Sequence, residues 1–293
     1  MFRFILFSLA VSTVLASTLA QSTTTVIYQD FAAARQAAAE QDKTLLIDFY
    51  TSWCQPCKQI DSALFRDPQR LAALGDAFVV LKYNAEQDSV YHIAKKYHIN
   101  NYPSALVLNS AGQVVDRVLG FVGDTGVEMA EELIAFSLAA NDSAERGAYL
   151  KGYSTATPVV SDYPSFYVDY VERRDLRSKK RPEFEAYFLD DDQDRLHEAY
   201  YATLIYFVMD ISDEVLDRTL SDLPRYRELY HLEHLNSSLY LASWARFSRA
   251  IKAGDEAAFT RAERFAEAAL DAESCEELVI DMRQEFEDSL AEG

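Results

Sequence analysis

Trp53-Cys54-Gln55-Pro56-Cys57-Lys58 is the stretch of this 293-residue sequence whose residue types and spacing suit chemistry best. A CxxC pair is ambiguous alone: it is half a zinc site, half a haem attachment, or a redox dithiol. Haem attachment needs a histidine after the second cysteine, where this sequence has Lys58. A zinc centre needs two more ligands, yet the one other cysteine is Cys275 and the five histidines are scattered. A redox pair needs a strand, a turn and a helix start. There, backbone N–H groups favour a thiolate at Cys54, and Cys57, one turn further in, resolves the mixed disulfide. A permanent disulfide and metal carriage by the reduced pair are the competing readings. No metal or bound cofactor is called for by the redox one.

The surrounding residues supply that setting. Residues 44–51 (TLLIDFYT) form a nearly continuous apolar run of strand length, as for a strand buried on both faces. Residues 54–74 read as helix, interrupted where Asp67-Pro68 restarts it. Further strands are expected at 26–28, 77–84, 104–109 and 113–121, the last two joined by a turn at Ser110-Ala111-Gly112. Helices are expected at 31–41, 88–97 and, capped by Asp124, to residue 140. The order β-α-β-α-β-α-β-β-α predicts an α/β domain around a mixed sheet.

Several separate matches make residues 26–140 resemble the thioredoxin-like superfamily. Residues 45–50 (LLIDFY) resemble the strand before its active site, including the buried acid, and residues 53–58 resemble its redox motif with Gln in place of Gly. Lys82 falls where the family places a lysine facing that acid, and Tyr102-Pro103 where it has a cis-proline. Gly120 falls near a glycine of the last strand. The stretch from Cys57 through Phe65-Arg66-Asp67-Pro68 is similar to secreted bacterial thioredoxin-like proteins and to the C-terminal domain of the DsbD reductase. The resemblance implies a thiol–disulfide oxidoreductase acting on disulfide or dithiol proteins. Cys54 is then the nucleophile and Cys57 the resolving thiol. Asp48, with a pKa raised by desolvation, is the proton acceptor, and Lys82 either pairs with it or sits at an exposed strand end. Trp53, Tyr102 and a cis Pro103 form the docking surface. Gln55-Pro56, lacking the histidine that oxidants of this fold often carry, favours a reductant or isomerase over a strong oxidant. Tyr102, where thioredoxins have Thr, bears on the direction of electron flow.

Residues 1–20 follow the pattern of a signal peptide: Arg3, an apolar run to about Ala16, then small residues with cleavage sites after Ala16 or Ala20. The run is shorter than the ~20 residues that span a bilayer. An exported, periplasmic protein without stable membrane insertion is expected, and an exported reductant needs a membrane electron donor. The net charge of −19, from 47 acidic and 28 basic residues, excludes general nucleic-acid binding.

After residue 140 the strand signals nearly vanish. Residues 141–165, with Pro158 and Pro164, read as a linker, and 166–293 as an all-α domain carrying most of the net charge. Helices are expected at 191–209, 213–220, 232–252, 255–272 and 274–290, with Gly254 turning a helical hairpin. A competing function makes this half the working part, binding a protein or cell-envelope ligand with the α/β half as scaffold or redox-sensitive clamp. Cys275 reads as a buried inert thiol, and His231 and His234 as a solvated helix face. Asp190-Asp191-Asp192 reads as a helix N-cap, and residues 173–181 as a solvated or acid-paired basic stretch.

Overall fold

The computed structural model describes residues 24–173 and 182–292. The expected signal peptide and most of the basic stretch, residues 174–181, lie outside the described residues. The α/β part runs β1 (Thr25–Tyr28), α1 (Phe31–Glu40), β2 (Thr44–Tyr50), α2 (Gln55–Ile60), a π-turn (Asp61–Phe65), α3 (Pro68–Leu74), β3 (Phe78–Asn84), α4 (Ile93–Lys96), β4 (Ser104–Leu108), β5 (Val114–Leu119) and α5 (Gly126–Glu145). The sheet order is β1-β3-β2-β4-β5, with β1, β3 and β2 parallel and β4 and β5 antiparallel to their neighbours. This is the expected thioredoxin-like mixed sheet. β2 and β3 are buried on both faces because they lie in the middle, which explains their unbroken apolar runs.

Two expectations shift. The helix expected over 88–97 is confined to α4. Asp88 is buried, and its carboxylate accepts hydrogen bonds from the Tyr83 hydroxyl (2.6 Å) and the Ala94 N–H (3.0 Å), so it caps α4 from six residues upstream. Between them His92 takes a left-handed conformation (φ 52°) that breaks any earlier helix. At the other end, Thr125 rather than Asp124 caps α5, in a capping box with Glu128, and the helix runs on to Glu145.

The second half is mostly helical, as expected: α6 (Ser165–Arg173), α7 (Pro182–Leu189), α8 (Glu198–Tyr206), α9 (Asp213–Leu229), α10 (Leu232–Ala253), α11 (Glu256–Ala269) and α12 (Ala272–Glu292). α6 and α7 were not foreseen. α9 continues through Pro224, past its expected end, because Leu223 and Tyr226 beside the proline are buried in the core. That burial offsets the ~3 kcal/mol a mid-helix proline costs. The acidic run Asp190–Asp192 is not an N-cap. It forms a turn in which the Asp190 carboxylate accepts the Asp192 N–H, and α8 is capped instead by His197. Gly254 does end α10, in the left-handed conformation (φ 61°) open to glycine.

Side-chain alternation on the strands splits the sheet's burial. Leu46, Val80, Ala105 and Val107 face α2, α3 and α5. Leu45, Ile47, Phe49, Val79, Leu81 and Leu106 face α1, α4 and the helical region, in one continuous core with Phe166, Phe188, Tyr201, Phe207 and Tyr230. Tyr201 and Tyr230 stack at 3.6 Å, and Tyr153 meets Tyr97 of the first half and Tyr230 of the second edge-on. The segment expected as a linker is therefore packed. Leu150 N–H donates to Val114 O (2.7 Å), Gly152 N–H to Leu229 O (2.9 Å), and buried Lys96 reaches the carbonyls of Ser154 and Ala156 and the Glu198 carboxylate. Among the described residues, no helix is long and apolar enough to cross a membrane.

Candidate active site

β2 ends at Tyr50, and the chain turns through Thr51-Ser52-Trp53 into α2. Cys54 is the N-cap of α2, and its Sγ accepts the Cys57 N–H at 3.1 Å. The two cysteines are joined as a disulfide with Cα atoms 5.3 Å apart. Both are nearly enclosed, Cys54 at 2% and Cys57 at 5% exposure. The helix start therefore sets a donor directly on the Cys54 sulfur, an arrangement that favours a thiolate over a thiol at such a position.

Beneath the disulfide, Asp48 on β2 and Lys82 on β3 are register partners in the parallel ladder, so their side chains leave the same face of the sheet, toward α2. They form a buried ion pair. Of the two places expected for Lys82, the pairing with Asp48 is the one found. Its ammonium also lies 3.5 Å from an Asp61 oxygen and 3.9 Å from the Phe65 ring centre, a cation–π distance. Asp61 is held in turn by Arg66 (2.9 Å). One lysine thus serves two carboxylates. A cavity of about 400 Å³ lined by Cys57, Asp61, Lys82, Tyr50 and Arg66 opens this cluster toward solvent. Sequence reasoning missed Asp61. The available signal was its position four residues after Cys57, one helical turn on along the same face.

Above the disulfide, Trp53 is 63% exposed and meets the ring of Tyr102 edge-on at 5.9 Å. The Tyr102–Pro103 peptide is cis. The Pro103 carbonyl accepts the N–H of Gly120, whose φ of 83° suits glycine. Trp53 and Tyr102 form one wall of a groove of about 460 Å³ whose other wall includes Val171, Glu172 and Tyr206 of the helical region. All seven residues expected at the site, Asp48, Trp53, Cys54, Cys57, Lys82, Tyr102 and Pro103, are thus brought to one end of the sheet. The contribution of α6 and α8 was not foreseen.

The remaining candidates lie elsewhere. Cys275 is buried in an apolar cluster of α10, α11 and α12 with Phe247, Phe259 and Phe286, and burial pushes its thiol pKa up, as for an inert thiol. His231 and His234 do not form a solvated face. His231 caps α10 and bonds Asp116 of β5 (2.9 Å), while His234 packs on His98 with ring centres 5.0 Å apart. Helix α10 lies against the sheet edge there, which turns these residues inward.

Comparison with known proteins matches residues 26–110 to a thioredoxin-like family model. The thiol:disulfide interchange protein DsbD of Salmonella typhimurium is 35% identical over 92 residues, 30% of this chain and 16% of that protein. Thioredoxin H4 of Arabidopsis thaliana is 31% identical over 83 residues, 28% of this chain and 65% of that protein. Among solved structures, the oxidised DsbD C-terminal domain of Neisseria meningitidis is 25% identical, covering 38% of this chain and 95% of that one at a TM-score of 0.29. The chain thus spans about a sixth of the length of the DsbD relative. Sheet order, the Cys54–Cys57 pair and the family match together make the N-terminal part of this chain a thioredoxin-like domain, extended by a region of mostly helices.

Proposed function

We propose that the protein is a thiol–disulfide oxidoreductase of an extracytoplasmic compartment, acting on disulfide-containing proteins as a reductant or isomerase. The observation that carries this reading is the Cys54–Cys57 pair, with Cys54 capping a helix and a buried Asp48–Lys82 pair beneath it. In the reduced protein the Cys54 thiolate attacks one sulfur of a substrate disulfide. A Cys54–substrate disulfide forms and the other substrate sulfur leaves as a thiolate, which takes a proton from solvent. Cys57 then loses its proton toward the Asp48, Lys82 and Asp61 cluster and attacks Cys54 Sγ. The Cys54–Cys57 bond forms and the second substrate thiol is released, so two electrons and two protons pass to the substrate. Trp53, Tyr102 and Pro103 hold the substrate backbone beside Cys54, and the groove wall from α6 and α8 narrows what can enter.

Export rests on the charge and apolar pattern of residues 1–20. An exported reductant must be recharged by a dithiol donor, which in an oxidising compartment points to a membrane protein. Insulin reduction by the wild-type protein, and capture of a mixed disulfide by Cys57→Ser but not by the Cys54→Ser, Cys57→Ser double variant, test the activity. Absence of both overturns it. Fully oxidised Cys54 and Cys57 in cells would reverse the assigned direction.

A further inference from the structure

We infer that Arg117, His98, Asn100 and His234 form a binding site for a small oxyanion, a carboxylate or a phosphate, between the sheet edge and the first turn of α10. The starting point is Arg117 on β5, which is only 2% exposed. Its Nη2 donates to the His98 carbonyl (3.0 Å) and its Nη1 to the Tyr153 hydroxyl (3.4 Å), and Nε has no partner. Among the described residues it makes no ion pair with any carboxylate. By contrast, buried Lys82, Lys95, Lys96 and Arg246 each have one. A buried cation without a counter-charge costs several kcal/mol, so a compensating anion is strongly favoured there.

Its surroundings are polar in the same unmatched way. Of seven buried side-chain polar atoms without a hydrogen-bond partner among the described residues, four belong to Arg117 (Nε), His98 (Nδ1), Asn100 (Oδ1) and His234 (Nδ1). All four residues line one cavity of about 270 Å³, so the unmatched groups are concentrated at one place. The volume suits a ligand of a few heavy atoms. Burial, then the neighbouring Arg117 charge, keeps both imidazoles well below their ordinary pKa, and hence neutral at pH 7. The neutral His234 ring still has one N–H to offer, whereas that of His98 is held by the Ala202 backbone, which leaves His98 Nδ1 as an acceptor.

Two further features set the ligand's charge. α10 begins at this cavity, and the positive end of a 22-residue helix favours an anion. Asp116, next to Arg117 on β5, is already engaged by His231 Nε2 (2.9 Å) and by the Arg117 backbone N–H (2.8 Å). At the outer rim stands the exposed Glu233, which repels a second negative charge. The site therefore takes a single oxyanion head. Asn100 Oδ1 and His98 Nδ1, both acceptors, suit a ligand that also carries a hydroxyl or amino hydrogen.

The test uses the full chain in its disulfide form at pH 7. Thermal unfolding and histidine-ring NMR are followed against sodium acetate, sodium lactate, sodium succinate and inorganic phosphate, each against sodium chloride at matched ionic strength. The site predicts a saturable rise in Tm with at least one monoanion or phosphate, and saturable shifts of the His98 and His234 signals. Lactate above acetate assigns a hydroxy acid, phosphate above both assigns a phosphate, and succinate is weakest. Asn100→Ala and His234→Asn weaken binding about tenfold. No saturable response beyond chloride, or an unchanged response in both variants, overturns the site.

Discussion

Replacing Lys82 with methionine tests the electrostatics beneath the disulfide. Lys82 is 3% and Asp48 2% exposed, so the substitution strands a carboxylate in the interior, while Met keeps an unbranched side chain of similar length. Removing one member of a buried pair typically costs about 3–5 kcal/mol. Asp61, which is 3.5 Å from the ammonium and partly exposed, keeps Arg66 and adds little. We therefore expect Lys82→Met to cost about 3–5 kcal/mol at pH 7. Asp48→Asn leaves a lysine that still has Asp61 and should cost less, about 1–3 kcal/mol. The double variant leaves no buried charge and should be more stable than Lys82→Met alone, with a coupling of about 2–3 kcal/mol. Urea unfolding of all four proteins, kept in the disulfide form, measures this cycle. Additive effects, or a Lys82→Met loss below about 1 kcal/mol, would refute the reasoning.

Tyr153→Ala should cost about 3–5 kcal/mol and move a single unfolding transition, because its ring joins Tyr97 and Tyr230 across the two halves; two separate transitions with one unmoved would contradict a shared core. His98 and His234 are held neutral in the fold but take protons once unfolded, so acid favours the unfolded chain. Stability should fall by up to about 2.7 kcal/mol per pH unit below about pH 6.5, and chemical denaturation between pH 7.5 and 5.5 should show roughly half that slope in His234→Asn. Native reduced protein treated with iodoacetamide should label at Cys54, whose sulfur accepts an N–H at the helix start, and leave Cys275 unmodified, given its raised pKa; mass spectrometry of the peptides decides it.

The α/β half was legible because its signals are local. Unbroken apolar runs mark β2 and β3, Asp67-Pro68 marks the restart of the helix, and Ser110-Ala111-Gly112 marks the hairpin turn between β4 and β5. The site residues were legible for a related reason: the resemblance fixes Asp48, Lys82, Tyr102 and Pro103 relative to the cysteines. What stayed hidden depends on distant contacts. Asp88 caps α4 from upstream, Pro224 is carried inside α9 by burial of its neighbours, and His234 is turned inward by the sheet edge. Residues 146–164 carry the prolines and polar residues of a linker, and only the partners Val114, Lys96 and Leu229 show that they are a packed strap.

The shared core also bears on when the protein folds. Leu45, Ile47, Phe49 and Leu106 leave the ribosome early, yet rings that share their core, Tyr201, Phe207 and Tyr230 among them, lie about 80–110 residues beyond the end of the sheet at Leu119. At roughly 5–20 residues per second, that half-built sheet waits on the order of 5–20 s for its cover. During that interval the part of this face that α1 and α4 leave uncovered is open to whatever is nearby. A newly made chain is thus expected to depend on a holding chaperone until α8 and α9 arrive.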